Sequence, residues 1–205
     1  GARTGDPETP GPIARQLIRP FIPALIFLLA ACSGPERKAP AAGLTKEALP
    51  APLFTSKKIR IFSDPATRDT FQLTVTGNDY LHAQVAFRIL SAAGKVIYHD
   101  QFTSDYLIGY GILDKAAPNG SLNDSTRVEY IRERLKHFFD DENFRTPAIG
   151  ADADFEPQHT SRELFDELRA DPRATSFHYL LGKEDGRYLA WSDRFGKVMM
   201  FYNCC

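Results

Sequence analysis

Phe71, Leu73 and Val75 alternate without a break with Thr70, Gln72, Thr74 and Thr76. A two-residue period commits a segment to the extended conformation, because successive side chains of a strand point to opposite faces. The pattern recurs downstream. Leu81, Ala83, Val85, Phe87 and Ile89 share one face, opposite His82, Gln84 and Arg88, and Gly77-Asn78-Asp79 supplies turn chemistry between the two runs. Upstream, Ile59 and Ile61 alternate with Lys58 and Arg60. Ser91-Ala92-Ala93-Gly94 then turns the chain into a further strand over Lys95 to Phe102. Strands joined by tight turns, each with one apolar face, predict an antiparallel meander.

The middle of the chain changes period. Tyr106 to Leu113 is apolar but broken by Gly109 and Gly111, which fits an irregular strand or a packed loop. Val128, Ile131, Leu135 and Phe138 then recur at helical spacing, with Asp124 or Ser125 as the expected N-cap. A second, shorter helix is expected from Thr160. Glu163 stands three residues on as a capping box, Leu164, Phe165 and Leu168 form the buried stripe, and Pro172 lies beyond the end. Strands return at the C-terminus: Phe177, Tyr179 and Leu181 alternate, and Arg187 to Ser192 and Lys197 to Tyr202 follow across turns. Strands, then helices, then strands define an α+β domain over residues 57–205. Its antiparallel sheet would combine the N-terminal strands with the C-terminal three-stranded meander, and two helices would pack on it. One shared sheet is expected because a lone three-stranded ribbon leaves a face uncovered.

Chemistry is harder to find. The 205 residues carry 25 Lys and Arg against 26 Asp and Glu, a net charge of −1. No basic surplus points to nucleic acid. Serine-hydrolase elbows, phosphate-binding glycine loops and zinc-type histidine spacings are missing, and no cofactor is expected. The best ion-binding pattern is Asp152, Asp154 and Glu156, with Thr160 at the ninth place and Glu163 at the twelfth, as in a helix-flanked calcium loop. Pro157 occupies the place where such a loop needs glycine, so a solvated acidic loop is the expectation and no metal is assigned. The five histidines are scattered. His99 and Asp100 are adjacent on a strand and must point to opposite faces. His137, close to Asp140 and Asp141, complements the C-terminus of the first helix. The C-terminal aromatics Phe177, Tyr179, Tyr188, Trp191, Phe195, Phe201 and Tyr202 are expected mainly as core.

The N-terminal segment carries an address. Arg15 and Arg19 precede the apolar run from Phe21 to Ala31, which has the length of a signal-peptide core and is too short to span a bilayer. It ends in Leu29-Ala30-Ala31-Cys32. This stretch resembles the lipobox of bacterial envelope lipoproteins. The resemblance covers about the first sixth of the chain. It implies that the Cys32 sulfur receives a diacylglyceryl group, that residues 1–31 are removed as a signal peptide, and that Cys32 becomes the acylated first residue. Because the chain starts at Gly1 rather than Met, and Gly1 to Pro12 match no part of a signal peptide, that stretch is expected to be disordered or spurious. Ser33, directly after the cysteine, implies outer-membrane sorting in Gram-negative members of that family. Residues 32–56, with Pro35, Pro40, Pro50 and Pro52, read as a tether. Only Cys204 and Cys205 then remain, which excludes a disulfide framework. As neighbours they are too close for an unstrained bond, and most molecules are expected to lack one.

Together these features predict a lipid-anchored envelope protein on the periplasmic face or the surface of the outer membrane. Its partners would be the membrane, through Cys32, and an unknown protein or small-molecule ligand of a non-catalytic binding or structural domain. The alternative is an envelope hydrolase acting on wall or glycan through carboxylates near 152–163.

Overall fold

The computed structural model describes residues 51–117 and 119–204, apart from the side chain of Cys204. The lipobox, most of the tether and Cys205 lie outside these residues. Four strands come first: β1 (Phe54–Arg60), β2 (Asp69–Thr76), β3 (Gln84–Leu90) and β4 (Val96–Thr103). They form an antiparallel sheet in the order β1-β2-β3-β4. The helices α1 (Asp124–Lys136) and α2 (Arg162–Ala170) follow, separated by the two-residue strand β5 (Phe144–Arg145). The last three strands are β6 (Ser176–Leu181), β7 (Asp185–Ser192) and β8 (Lys197–Cys204). With β5 they make a second antiparallel sheet, in the order β5-β6-β7-β8. The fold is α+β.

The expected single sheet is therefore corrected to two. The inward row of β2 and β3 (Phe71, Leu73, Val75, Val85, Phe87, Ile89) shares one core with Phe177, Tyr179, Leu181 and Leu189 of the second sheet. Ring centroids meet across the gap at 5.2 Å for Phe71 and Phe177, and at 5.4 Å for Phe87 and Tyr179. A strand with one apolar face is satisfied by anything apolar laid over it. Facing sheets and a joined sheet therefore share the same alternation. Each fully buried Phe or Leu contributes roughly 1.5–3 kcal/mol, and Phe71, Leu73, Phe87, Phe177 and Leu189 are all fully buried here.

The second sheet has neighbours on both faces. Its outer face carries α2, whose Leu164, Phe165 and Leu168 pack with Ala190 and Phe201. That stripe is the one the helical spacing predicts. The helix begins one residue later than expected, because Ser161 rather than Thr160 is the N-cap and its Oγ accepts the Leu164 amide at 3.3 Å. The α1 cap also differs: Asn123 Oδ1 accepts both the Thr126 amide at 2.8 Å and the Thr126 hydroxyl at 3.0 Å. Ile131 and Leu135 of α1 enter the shared core, and Phe138 and Phe139 follow them just past the helix end.

Two further expectations change. The glycine-broken stretch after β4 forms two 3₁₀ turns, Ser104–Leu107 and Tyr110–Lys115. A Cβ at Gly109 would stand 2.9 Å from the Gly182 carbonyl oxygen, so backbone approach excludes a side chain there. In and just after β1, Ile59 and Ile61 are 56% and 47% exposed. Register sets this. Ser56 lies opposite Leu73 and Lys58 opposite Phe71, so the half-buried row of β1 is Phe54, Ser56, Lys58 and Arg60. Lys58 and Arg60 reach sideways to Asp141, and Phe62 fills the apolar position instead. Pairing with β2 already begins at Leu53, whose amide bonds the Val75 carbonyl at 2.8 Å.

Candidate functional site

Alternation fails once in the second sheet, and a cleft forms there. Tyr188 pairs with Tyr202, but the next residue, Leu189, pairs with Met200. Phe201 is the extra residue of a β-bulge. A bulge re-aims side chains, and here Phe201 and Tyr202 both join the α2 side of the sheet. His178, Tyr188 and Tyr202 are register partners across β6, β7 and β8. Their rings form a ladder: His178 on Tyr188 at 4.2 Å, Tyr188 edge-on to Tyr202 at 5.4 Å, and His159 from the loop before α2 on Tyr202 at 4.2 Å.

The loop over 146–160 and α2 cover only part of this face. Between them and the ladder lies a cleft of about 460 Å³. Its apolar lining is Ile149, Phe165 and Phe201, with Tyr188 and Tyr202 beside them; Arg145, Asp154, Glu156, His159 and Thr160 supply the polar groups. His159 Nε2 sits 3.3 Å from Glu156 Oε2, and Gln158 Nε2 donates to the same oxygen at 2.9 Å. The side chains of Arg145 and Asp154 are exposed and make neither a hydrogen bond nor an ion pair among the described residues. Thr160 Oγ1 is buried without a hydrogen-bond partner among the described residues, an arrangement that costs free energy unless something else satisfies it.

A larger groove of about 650 Å³ runs between β1 and the 141–146 and 172–175 segments, lined by Arg60, Phe144 and Arg173 among others. It is the weaker candidate. Its one carboxylate, Asp141, already takes Lys58 and Arg60, and the Arg60 guanidinium lies over the Phe144 ring at 5.1 Å.

The calcium-loop residues do not converge. Asp152 is exposed and does not line the aromatic cleft, while Asp154 and Glu156 do. Glu163 stays at the start of α2, where its own backbone amide and then Ser161 hold its carboxyl below the usual range. Among the described residues no group of three or more His, Cys, Asp or Glu side chains is placed to hold a metal ion. The histidines separate as expected from their neighbours. His137 Nδ1 pairs with Asp140 at 2.7 Å past the end of α1, and His99 faces solvent while Asp100 turns inward.

That inward turn makes Asp100 the centre of a polar clasp between the sheets. Tyr179 donates to Asp100 Oδ2 at 2.7 Å, Arg187 donates to the same oxygen at 2.8 Å, and the Tyr98 and Tyr179 hydroxyls lie 2.8 Å apart. Arg187 also grips Asp185, holding that carboxyl below its usual range, and Asn203 adds a bond at 2.7 Å. Burial pushes both tyrosine hydroxyls up, which keeps them neutral donors. The clasp joins β4 of the first sheet to β6 and β7 of the second and so ties the two sheets together. The inward parity of Asp100 with Tyr98 and Phe102 is the only trace of it in the sequence.

His178 gives a pH-dependent result. Burial, then the charges of Arg145 and Arg134, lower its pKa below 6.5. Between 6.5 and the lowered value the unfolded chain binds a proton that the folded chain does not. Stability therefore falls as pH drops through that window and levels off below it. In His178→Gln the slope of stability against pH should flatten there, as read by urea unfolding at several pH values. An unchanged slope would assign the effect to another group.

Comparison with protein-family models, with curated proteins and with solved structures gives no match. No helix among the described residues is long and apolar enough to cross a membrane.

Proposed function

We propose that this chain is a bacterial envelope lipoprotein, held to the membrane by acyl chains on Cys32, whose α+β domain binds a small ligand in the aromatic cleft beside α2. The observation that carries the anchoring is the sequence Leu29-Ala30-Ala31-Cys32 at the end of a short apolar run with Arg15 and Arg19 ahead of it. Two or three acyl chains on one residue exceed what stable attachment requires, since each buried CH₂ contributes about 0.8 kcal/mol. The cleft supports a binding role because an apolar lining with a few polar groups around it is what small-molecule sites use.

A second reading, an envelope hydrolase, draws on one observation: Asp154, Glu156 and His159 line the same cleft. Carboxylates and an imidazole at one site are the groups that acid–base cleavage employs. Chain-shortened products after incubation with wall glycan would favour it over simple binding.

The anchor is tested directly. Mass spectrometry of the chain expressed in a bacterium should find an N-terminal Cys32 bearing two or three acyl groups. Cys32→Ser should abolish both the acyl mass and the cleavage after Ala31. Replacing residues 1–32 by an ordinary cleavable export signal should release the protein from the membrane fraction. A membrane-bound product with no acyl mass on its N-terminus would sink the reading.

A further inference from the structure

The polar groups around the cleft are chemically mixed in a way that narrows the ligand. Asp154 offers acceptors and Arg145 offers donors, and neither has a partner among the described residues. Thr160 adds a hydroxyl that can both give and accept and that has no hydrogen-bond partner among the described residues. Beside them stand the tyrosines of the ladder, Tyr188 and Tyr202. The His178 imidazole stacks on Tyr188 and the His159 imidazole meets Tyr202 at a tilt, both at 4.2 Å, and they help hold the rings in place.

A ligand that matches this lining carries several hydroxyls, each able to donate to a carboxylate and accept from a guanidinium, and an apolar face that lies against an aromatic ring. A pyranose ring has both. Its axial C–H groups make one side apolar, and its equatorial hydroxyls point outward around the edge. A purely apolar ligand would make no use of Asp154 and Arg145, and would desolvate whatever part of them it covered, at a cost in free energy. From these complementarities we infer that the cleft is a saccharide-binding site. Tyr188 and Tyr202 stack against the sugar, Asp154 and Arg145 hydrogen-bond its hydroxyls, and Thr160 closes the inner contact. The inference rests on the reading of this cleft as the binding site and is independent of lipid attachment at Cys32.

Thr160→Val provides the sharpest test. It keeps the side-chain shape and removes a hydroxyl that no described residue uses. The full chain, purified in detergent micelles, is titrated calorimetrically with two neutral trisaccharides, maltotriose and tri-N-acetylchitotriose. It is titrated separately with a zwitterionic dipeptide, glycyl-phenylalanine. At least one trisaccharide should bind and the dipeptide should not. Thr160→Val and Asp154→Asn should each weaken the trisaccharide at least fivefold, with melting temperatures unchanged or, for Thr160→Val, raised. Tyr202→Leu should abolish binding. If neither sugar binds, or the dipeptide alone does, the saccharide assignment is overturned. The assignment also fails if Thr160→Val lowers the melting temperature without touching affinity, because the hydroxyl would then serve the fold. None of these results bears on the acyl mass at Cys32, so failure here and failure of the anchor remain distinguishable.

Discussion

Phe87→Ala is expected to lower folding stability by about 3–5 kcal/mol, the range for removing a fully buried phenylalanine from a core that cannot collapse around the gap. Phe87 is fully buried, and six aromatic rings surround it. Tyr98, Phe138, Phe139, Phe177 and Tyr179 lie between 5.4 and 5.7 Å, and Phe71 at 6.2 Å. They come from both sheets and from the segment after α1, so the cavity would open where all layers meet. For a chain of this size each kcal/mol moves the melting temperature by roughly 2–4 °C, and a loss of about 10 °C should be visible by calorimetry. Ile59→Ala is the matched control. Exposed apolar positions change stability by within about 0.5 kcal/mol, and Ile59 should behave so if β1 turns its lysine and arginine row inward. A large loss at Ile59 would contradict the register of β1.

Asp100→Ala should cost about 2–4 kcal/mol. That range lies between the ~3–5 kcal/mol for breaking a buried pair and the 0–1 kcal/mol of an exposed one. The intermediate figure follows from side-chain exposures of 18% for Asp100 and 26% for Arg187. The loss is not that of one contact. Removing Asp100 strips an acceptor from the Tyr179 hydroxyl and from Arg187 together, and both donors stay partly buried. Asp100→Asn keeps the shape and loses the charge, so its cost should be smaller. A double-mutant cycle with Arg187→Met isolates the charged contact. A coupling energy near zero would mean that solvent, rather than the clasp, satisfies both groups. The Arg187–Asp185 pair is held separately, at 2.6 Å, and should survive Asp100→Ala.

Much of the fold was legible in the order of residues. Phe71, Leu73 and Val75 named their strand and its buried face, and all three are fully buried. Leu164, Phe165 and Leu168 named α2 and the stripe it lays on the sheet. Caps were legible to within a residue or two, because serine, asparagine and aspartate side chains compete for the same free amides at a helix start. The cleft was hardly legible. Tyr188 and Tyr202 read as core beside Phe177 and Tyr179. Only the bulge at Phe201 turns two consecutive aromatics to the α2 side, and a bulge has no signature in an alternating pattern.

Local periodicity by itself determined which segments extend, which coil, and which face of each is apolar, since these depend on neighbours one to four positions away. The apolar run ending at Cys32 likewise carries its message within a dozen residues. What covers each face was decided only by the tertiary structure. Phe71 meets Phe177, and Asp100 meets an arginine 87 positions along the chain. Partners at such separations are chosen by the register of whole strands and by the volume that remains between two sheets. The cleft is likewise what α2 leaves open, because a nine-residue helix is too short to cover the second sheet.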